Sequence, residues 1–316
     1  MKIVVVGAGA VGSLFGAALV EGGHSVVLVG RPDHVAAVRA KGLTIEGPRP
    51  RTVRLEATTD VGHASADAIL VTVKTFHLAA TSAAIAREIP LPTPLLLLEN
   101  GLGIEAVAEE GLRTGGWPSP RGWLVRGVNS VPATWIAPGR VRETGRGEVL
   151  LPGPDAPTEA LDHVALFRDL LQSARIPVRL ATDFEREVWR KALVNAAINP
   201  VTALHGVENG EVLHGPLRAE AVRLLREAQA AARAEGYAFT DPEADADLDR
   251  VAGATAQNRS SMLQDLDRGR PTEIDALSEE IVRIGARHGI DLPATRAVAA
   301  AVRARAATNA MQGQPS

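Results

Sequence analysis

The sequence predicts an α/β domain, built on a doubly wound parallel sheet, followed by an all-helical C-terminal domain. Three observations carry this. Short, apolar, β-branched runs alternate with helix-like segments over the first half of the chain. A glycine-rich turn, Gly7-Ala8-Gly9-Ala10-Val11-Gly12, joins the first run to the first helix. From about residue 183 only helical periodicity is left, which sets the expected division into residues 1–182 and 183–316.

Residues 2–6 (Lys-Ile-Val-Val-Val) read as a buried parallel strand. Residues 12–21 carry Leu14, Phe15, Ala18 and Leu19 at helical spacing, and Gly22-Gly23 stops them. A strand at 25–29 and a helix at 33–40 follow. The next strand is 68–73, then a helix at 78–88 and a strand at 94–98. Residues 114–121 (Thr-Gly-Gly-Trp-Pro-Ser-Pro-Arg) have the composition of a surface loop. Residues 124–131, 139–143 and 148–151 look like short strands that pair as an antiparallel edge, and 175–180 like the last strand of the domain. The helical half contains segments at 183–199, 217–235, 247–264, 273–288 and 295–307. Pro200 is expected to kink or end the first of these. The tail to Ser316 is expected to fray.

Bulk properties narrow the function classes. A chain of 316 residues suggests about two domains, and 46% hydrophobic residues are ample for packed cores. The net charge of −3, with arginines scattered among acids, argues against a nucleic-acid or anionic-membrane surface. The absence of Cys excludes disulfides, thiolate zinc sites and cysteine nucleophiles. No run is long and apolar enough for a spanning helix. The N-terminal apolar stretch is interrupted by Gly7, Gly9 and Gly12, unlike the core of a signal peptide, so the expected location is the cytoplasm.

The pattern Gly7-x-Gly9-x-x-Gly12 sits where a dinucleotide needs it, after a strand and at the start of a helix. The first glycine permits the tight turn and the second lets backbone approach a pyrophosphate. The third lets helix and strand pack closely. Free N–H groups and the helix dipole favour the phosphates. NAD sites usually carry an acid at the end of the second strand. Here that position is Arg31, suited to a 2′-phosphate, though an ordinary solvated arginine also fits and Asp33 nearby leaves NAD use open. Lys74, at the end of a strand, fits a second phosphate or ribose contact or a surface lysine. Asn100-Gly101 fits either a nicotinamide-side turn or a plain Asn-Gly turn.

The sharpest anomaly lies in the helix at 183–199. Between Lys191 and Asn199 every residue is apolar except Lys191, Asn195 and Asn199. Their i, i+4, i+8 spacing places an ammonium and two amides on one stripe. Polar groups on so apolar a helix need partners. Exposed faces in this chain use Arg and Glu, and only four of its 34 basic residues are lysine, so a ligand-lining stripe is favoured. A second polar cluster runs through Asn258, Ser261 and Glu273. On physical grounds alone it reads equally as a polar helix face and a helix cap at Thr272-Glu273.

These motifs resemble those of the ketopantoate reductases (2-dehydropantoate 2-reductases), over nearly the whole chain. The resemblance rests on the glycine turn, Lys74, Asn100-Gly101, Lys191-x-x-x-Asn195-x-x-x-Asn199-Pro200 and Asn209-Gly210. It rests also on Asn258-Arg259-Ser260-Ser261-Met262-Leu263-Gln264-Asp265, followed by Thr272-Glu273-Ile274-Asp275. It implies a Rossmann-type NADP-binding domain with a helical substrate and catalytic domain, and NADPH-dependent reduction of ketopantoate to pantoate in pantothenate and coenzyme A biosynthesis. By resemblance, Lys191 is the proton donor and Glu273 lies at the reaction centre, contacting cofactor or substrate. Asn195, Asn199, Asn209, Asn258 and Ser261 line the pantoate site. Arg31, Lys74 and Asn100 contact NADP(H), with Asn100 also near substrate. No metal is required, the substrate is a small 2-oxo acid, and the oligomer is a monomer or homodimer.

Two features depart from the pattern. Glu99 stands before Asn100-Gly101, where the family usually has Gln or His, and residues 127–130 (Gly-Val-Asn-Ser) are not its commonest form. A same-fold reductase of another 2-oxo acid is therefore a near alternative. A catalytically inactive NADP-binding sensor is expected to lack Lys191 or Glu273, and both are present. The β-hydroxyacid dehydrogenases lead into their helix lysine with a glycine-rich segment, whereas residues 184–189 here contain no glycine.

Overall fold

The computed structural model describes residues 1–62, 65–89, 91–154, 156 and 159–312. The chain divides into two compact units. One comprises Met1–Glu99 and Gly103–Phe184; the other comprises Asn100–Leu102 and the chain from Glu185 onward.

The first unit begins β1 (Lys2–Val6), α1 (Ala10–Glu21), β2 (Ser25–Val29) and α2 (Pro32–Lys41). Short strands β3 (Leu43–Glu46), β4 (Arg51–Val53) and β5 (Glu56–Thr58) lead to β6 (Ala68–Val71), α3 (Thr75–Glu88), β7 (Leu95–Leu97) and α4 (Ile104–Gly115). Then come β8 (Leu124–Arg126), β9 (Val128–Asn129), β10 (Ala133–Ala137), β11 (Arg140–Glu143), β12 (Val149–Pro152), α5 (Leu161–Ser173) and β13 (Val178–Ala181).

The main sheet has the order β5-β2-β1-β6-β7-β8, with every pair parallel. Its inner strands carry almost only Val, Ile, Leu and Ala because both faces are covered. The strand order reverses between β1 and β6, and ligands of such sheets bind beyond the carboxyl ends at that switch point. The doubly wound sheet and the helical second half agree with the expected fold class.

The later strands differ from the expected antiparallel edge. β8 extends the main sheet in parallel. β10 and β11 form an antiparallel hairpin that joins β3 and β4, and β12 lies between β9 and β13 in a third, smaller sheet. Helices α4 and α5 are absent from the sequence expectation. The helical signal of α4 is masked by Gly111 and Gly115. A Cβ on either would stand 2.6 or 2.4 Å from the carbonyl of Ala79 or Ala83, so these glycines let α4 approach α3 closely. The surface loop expected at 114–121 is shorter than expected: Thr114 and Gly115 belong to α4, and residues 116–120 form the irregular segment. Gly116 closes α4 in the left-handed region, and Trp117 turns back into the core, where its indole N–H donates to the Ile89 carbonyl at 2.8 Å.

Helix α6 (Phe184–His205) starts on the last residue of the first unit and belongs from Glu185 on to the second, where it is followed by α7 (Gly215–Ala234), α8 (Asp241–Ala254), α9 (Ser261–Asp267), a π turn (Asp275–Glu279), α10 (Glu280–Arg287) and α11 (Pro293–Gln312). No strand occurs among the second unit's described residues. The tail beyond Gln312 lies outside the described residues. Pro200 does not end α6, which runs on to His205. Val201, Thr202 and Ala203 are fully buried, and that packing outweighs the local penalty of about 3 kcal/mol for an interior proline. The single helix expected at 247–264 is two helices. Ser260 breaks it by capping α9, its hydroxyl accepting from the Leu263 N–H at 3.2 Å.

Candidate functional site

The glycine turn has a defined internal geometry. The N–H groups of Gly7 and Ala8 both donate to the Val29 carbonyl, at 3.0 and 2.9 Å, which ties the turn to the end of β2. Gly7 has φ +109°, a left-handed conformation that favours glycine. A Cβ on Gly12 would stand 2.2 Å from the Gly7 carbonyl oxygen, so the fold itself needs that glycine. Gly9 is different: a Cβ there meets nothing closer than 4.0 Å. Internal packing does not call for glycine at that position, whereas close approach of a ligand's phosphates to the backbone does. The residues of this turn fit a dinucleotide pyrophosphate. Arg31 is the N-cap of α2 at the end of β2 and is exposed, and Lys74 is the half-buried N-cap of α3 just beyond β6.

In the second unit, α6 presents the polar stripe as its spacing requires. From Lys191 to Ala203 every residue is buried except Lys191, Asn195 and Asn199, which are half-buried. The neighbouring Arg190 is turned elsewhere. It pairs with Asp247 and Glu243 on α8, and Arg186 pairs with Glu243 at 2.7 Å, which fixes the orientation of α6. Three residues beyond Asn199, the buried Thr202 hydroxyl lies 2.7 Å from the Ser260 hydroxyl. This hydrogen bond joins α6 to the start of α9, where Ser261 is the first helical residue.

These elements line a small, partly open cavity, bordered by Asn100, Gly101, Asn199, Ser261, Met262, Asp265, Glu273 and Leu277. All belong to the second unit, to which the contacts of Asn100–Leu102 assign that short segment. The cavity combines two amides, a hydroxyl and two carboxyl groups with the apolar Met262 and Leu277, a composition suited to a small polar organic molecule. The Leu102 N–H donates to the Ala276 carbonyl at 3.3 Å, inside the π turn. Ala276 thereby holds the segment that carries Asn100.

Of the residues expected at the substrate site and reaction centre, the cavity brings together Asn100, Asn199, Ser261 and Glu273. Lys191 and Asn195 lie outside its lining, two turns and one turn before Asn199 on the same stripe. Asn209 and Asn258 are outside it too. The Asn209 side chain donates to the Thr255 hydroxyl at 3.0 Å and its N–H donates to the Asn258 carbonyl at 2.9 Å, so it braces the turn between α8 and α9. Asp265 closes the motif that begins at Asn258, but the sequence assigns it no site role, and the cavity adds it to the lining. It is four residues from Ser261, one helical turn along the same face, and that spacing is the signal that finds it.

Comparison with known proteins agrees with the motifs. The family ketopantoate reductase PanE/ApbA matches residues 3–155, and its C-terminal counterpart, ketopantoate reductase PanE/ApbA C terminal, matches residues 183–306. The chain belongs to the ketopantoate reductase family. It is 32% identical to the 2-dehydropantoate 2-reductase of Pyrococcus abyssi over 296 residues, covering 93% of this chain and 94% of that protein. Among solved structures it is similar to a PanE/ApbA family ketopantoate reductase from Ralstonia eutropha, with a TM-score of 0.85 and 30% identity over 98% and 99% of the two chains. It is also similar to a D-mandelate dehydrogenase solved with NADH and anilino(oxo)acetate, with a TM-score of 0.88 and 25% identity over 98% and 99%.

Proposed function

We propose that this chain reduces 2-dehydropantoate to pantoate with NADPH, a step of pantothenate and coenzyme A biosynthesis. The observation that carries the reading is the convergence of Asn100, Asn199, Ser261 and Glu273, from separate stretches of chain, on one cavity. All four belong to the ordered motifs of the ketopantoate reductases, and full-length relatives bear the name 2-dehydropantoate 2-reductase.

Residues 1–182 form the NADP(H)-binding domain. The turn at residues 7–12 takes the pyrophosphate on its N–H groups, Arg31 takes the 2′-phosphate, and Lys74 makes a further contact. Residues 183–316 form the substrate and catalytic domain. When bound, the reduced nicotinamide supplies the hydride for the C2 carbonyl. Lys191 holds a proton on Nζ, stabilises the negative charge that develops on the carbonyl oxygen, and releases the proton to it. Asn195 and Asn199 hydrogen-bond the polar groups of the substrate, and the Ser261 hydroxyl donates to its carboxylate. Glu273 accepts a hydrogen bond from a hydroxyl of substrate or cofactor, and Asn100 orients both. A cytoplasmic location, a small-molecule substrate and a monomer or homodimer accord with this role.

A second reading is a same-fold reductase of another 2-oxo acid. Two observations favour it: the similarity to D-mandelate dehydrogenase, and Glu99 buried directly before Asn100. Oxidation of NADPH by the purified chain with a panel of 2-oxo acids tests both. The panel should include ketopantoate and the oxo acid of mandelate. Ketopantoate is expected to exceed each competitor in kcat/KM by about tenfold or more, equivalent to about 1.4 kcal/mol. Equal turnover of several acids sinks the pathway assignment, and NADPH binding without turnover of any acid points to a sensor.

A further inference from the structure

Trp135 lies on β10, outside the main sheet, and its indole is nearly buried at 8% exposure. The Arg31 guanidinium carbon lies over this ring, 5.4 Å from its centroid. The His34 ring also packs on the indole, with centroids 4.6 Å apart and a 42° tilt. His34 is itself fully buried and fixed at both nitrogens. Nδ1 accepts the Gly139 N–H at 2.9 Å at the tip of the β10–β11 hairpin, so Nε2 carries the proton and donates to the Ser13 hydroxyl at 3.1 Å. Ser13 stands on α1, the helix that the glycine turn opens. A continuous set of contacts thus runs from that helix through His34 and Trp135 to the exposed Arg31.

An exposed arginine at a helix N-cap samples many rotamers, and holding it for a ligand is entropically unfavourable. An aromatic face restricts the guanidinium to one region while leaving its N–H fork open to a phosphate. We propose that Trp135, locked by His34, is the specificity-determining platform that presents Arg31 to the 2′-phosphate of NADPH. This rests on the reading that Arg31 takes that phosphate. Trp135 therefore contributes to the preference for NADPH over NADH without forming part of the catalytic cavity.

The test is the ratio of NADH to NADPH dissociation constants for the full chain and for Arg31→Ala, Trp135→Phe and Trp135→Leu, with thermal melts to verify folding. Arg31→Ala is expected to remove most of the preference. Trp135→Leu should lower the ratio at least fivefold while NADH affinity changes less than twofold. Trp135→Phe, with a weaker ring face, should fall between Leu and wild type. If Trp135→Leu does not fold, Trp135→Phe still decides: an unchanged ratio there overturns the proposal. Loss of the preference in Arg31→Ala alone means that Arg31 reads the phosphate unaided, and Trp135 has no such role. Equal weakening of both nucleotides by the Trp135 variants reduces it to a structural residue and also overturns the proposal. An unchanged ratio in Arg31→Ala refutes the 2′-phosphate reading, and the platform falls with it.

Discussion

The carbonyl oxygen of Ala276 lies 2.6 Å from the place a Cβ on Gly101 would occupy, and it accepts the Leu102 N–H. Ala276 sits in the π turn Asp275–Glu279, where the backbone departs from the i to i−4 ladder and a carbonyl can bond outward. Gly101 also has φ +103°, which a residue with a Cβ adopts only under strain. One glycine and one irregular turn together set the position of Asn100 in the cavity.

Gly101→Ala should therefore displace Asn100 as well as strain the backbone. Stability is expected to fall by about 1–3 kcal/mol. A larger effect is expected on kcat/KM for the 2-oxo acid, roughly a hundredfold loss, because misplacement by about 1 Å is that costly to catalysis. Urea unfolding and steady-state kinetics measure the two. Near-wild-type activity at unchanged stability would show that the Ala276 contact does not position Asn100.

Gly9 and Gly12 should respond differently to the same substitution. Gly12→Ala drives a methyl into the Gly7 carbonyl, so thermal stability is expected to drop sharply. Gly9→Ala points a methyl into open space, and its melting temperature should stay within a few degrees of wild type. Its dissociation constant for NADPH should nevertheless rise tenfold or more, because the methyl occupies the approach of the pyrophosphate. Unaltered NADPH binding in Gly9→Ala would remove the phosphates from that turn.

The legibility of the fold follows from where its information lies. β1 and β2 are readable because burial on both faces forces unbroken β-branched runs. The stripe of Lys191, Asn195 and Asn199 is readable because helical spacing alone puts the three on one face. Helix α5 is missing from the sequence expectation although its periodicity is legible, with Val164, Phe167, Leu170 and Leu171 buried at helical spacing. The clasp of Gly101 by Ala276 is not readable, because it joins distant segments through an irregular turn. The same holds for Arg31 and Trp135, and for the interior Pro200, whose cost is offset by tertiary burial rather than by local sequence.

Lys191→Ala is expected to lower kcat by at least about a hundredfold. The dissociation constant for NADPH should change little, since the turn at residues 7–12 and Arg31 are untouched. Asn199→Ala should chiefly raise KM, because its amide lines the cavity. Retained turnover in Lys191→Ala would assign the proton to another group.

The His34 network predicts a pH dependence of stability. Burial is the main cause that lowers the His34 pKa from its ordinary 6.5 to about 4; Asp33 opposes the shift and Arg31 adds to it. Protonation would also cost the hydrogen bond from Gly139, because Nδ1 would no longer accept. Between pH 4 and 6.5 the unfolded chain binds more protons at this residue than the folded chain. Stability from His34 is therefore complete above pH 6.5 and declines as pH falls towards 4, by at most about 3 kcal/mol. Urea unfolding of wild type and His34→Gln across pH 4–7.5 isolates the effect, since the other titrating groups are shared. The stability difference between the two proteins should shrink steadily as the pH is lowered through this window. A difference that stays constant with pH would mean that His34 titrates alike in the folded and unfolded chains.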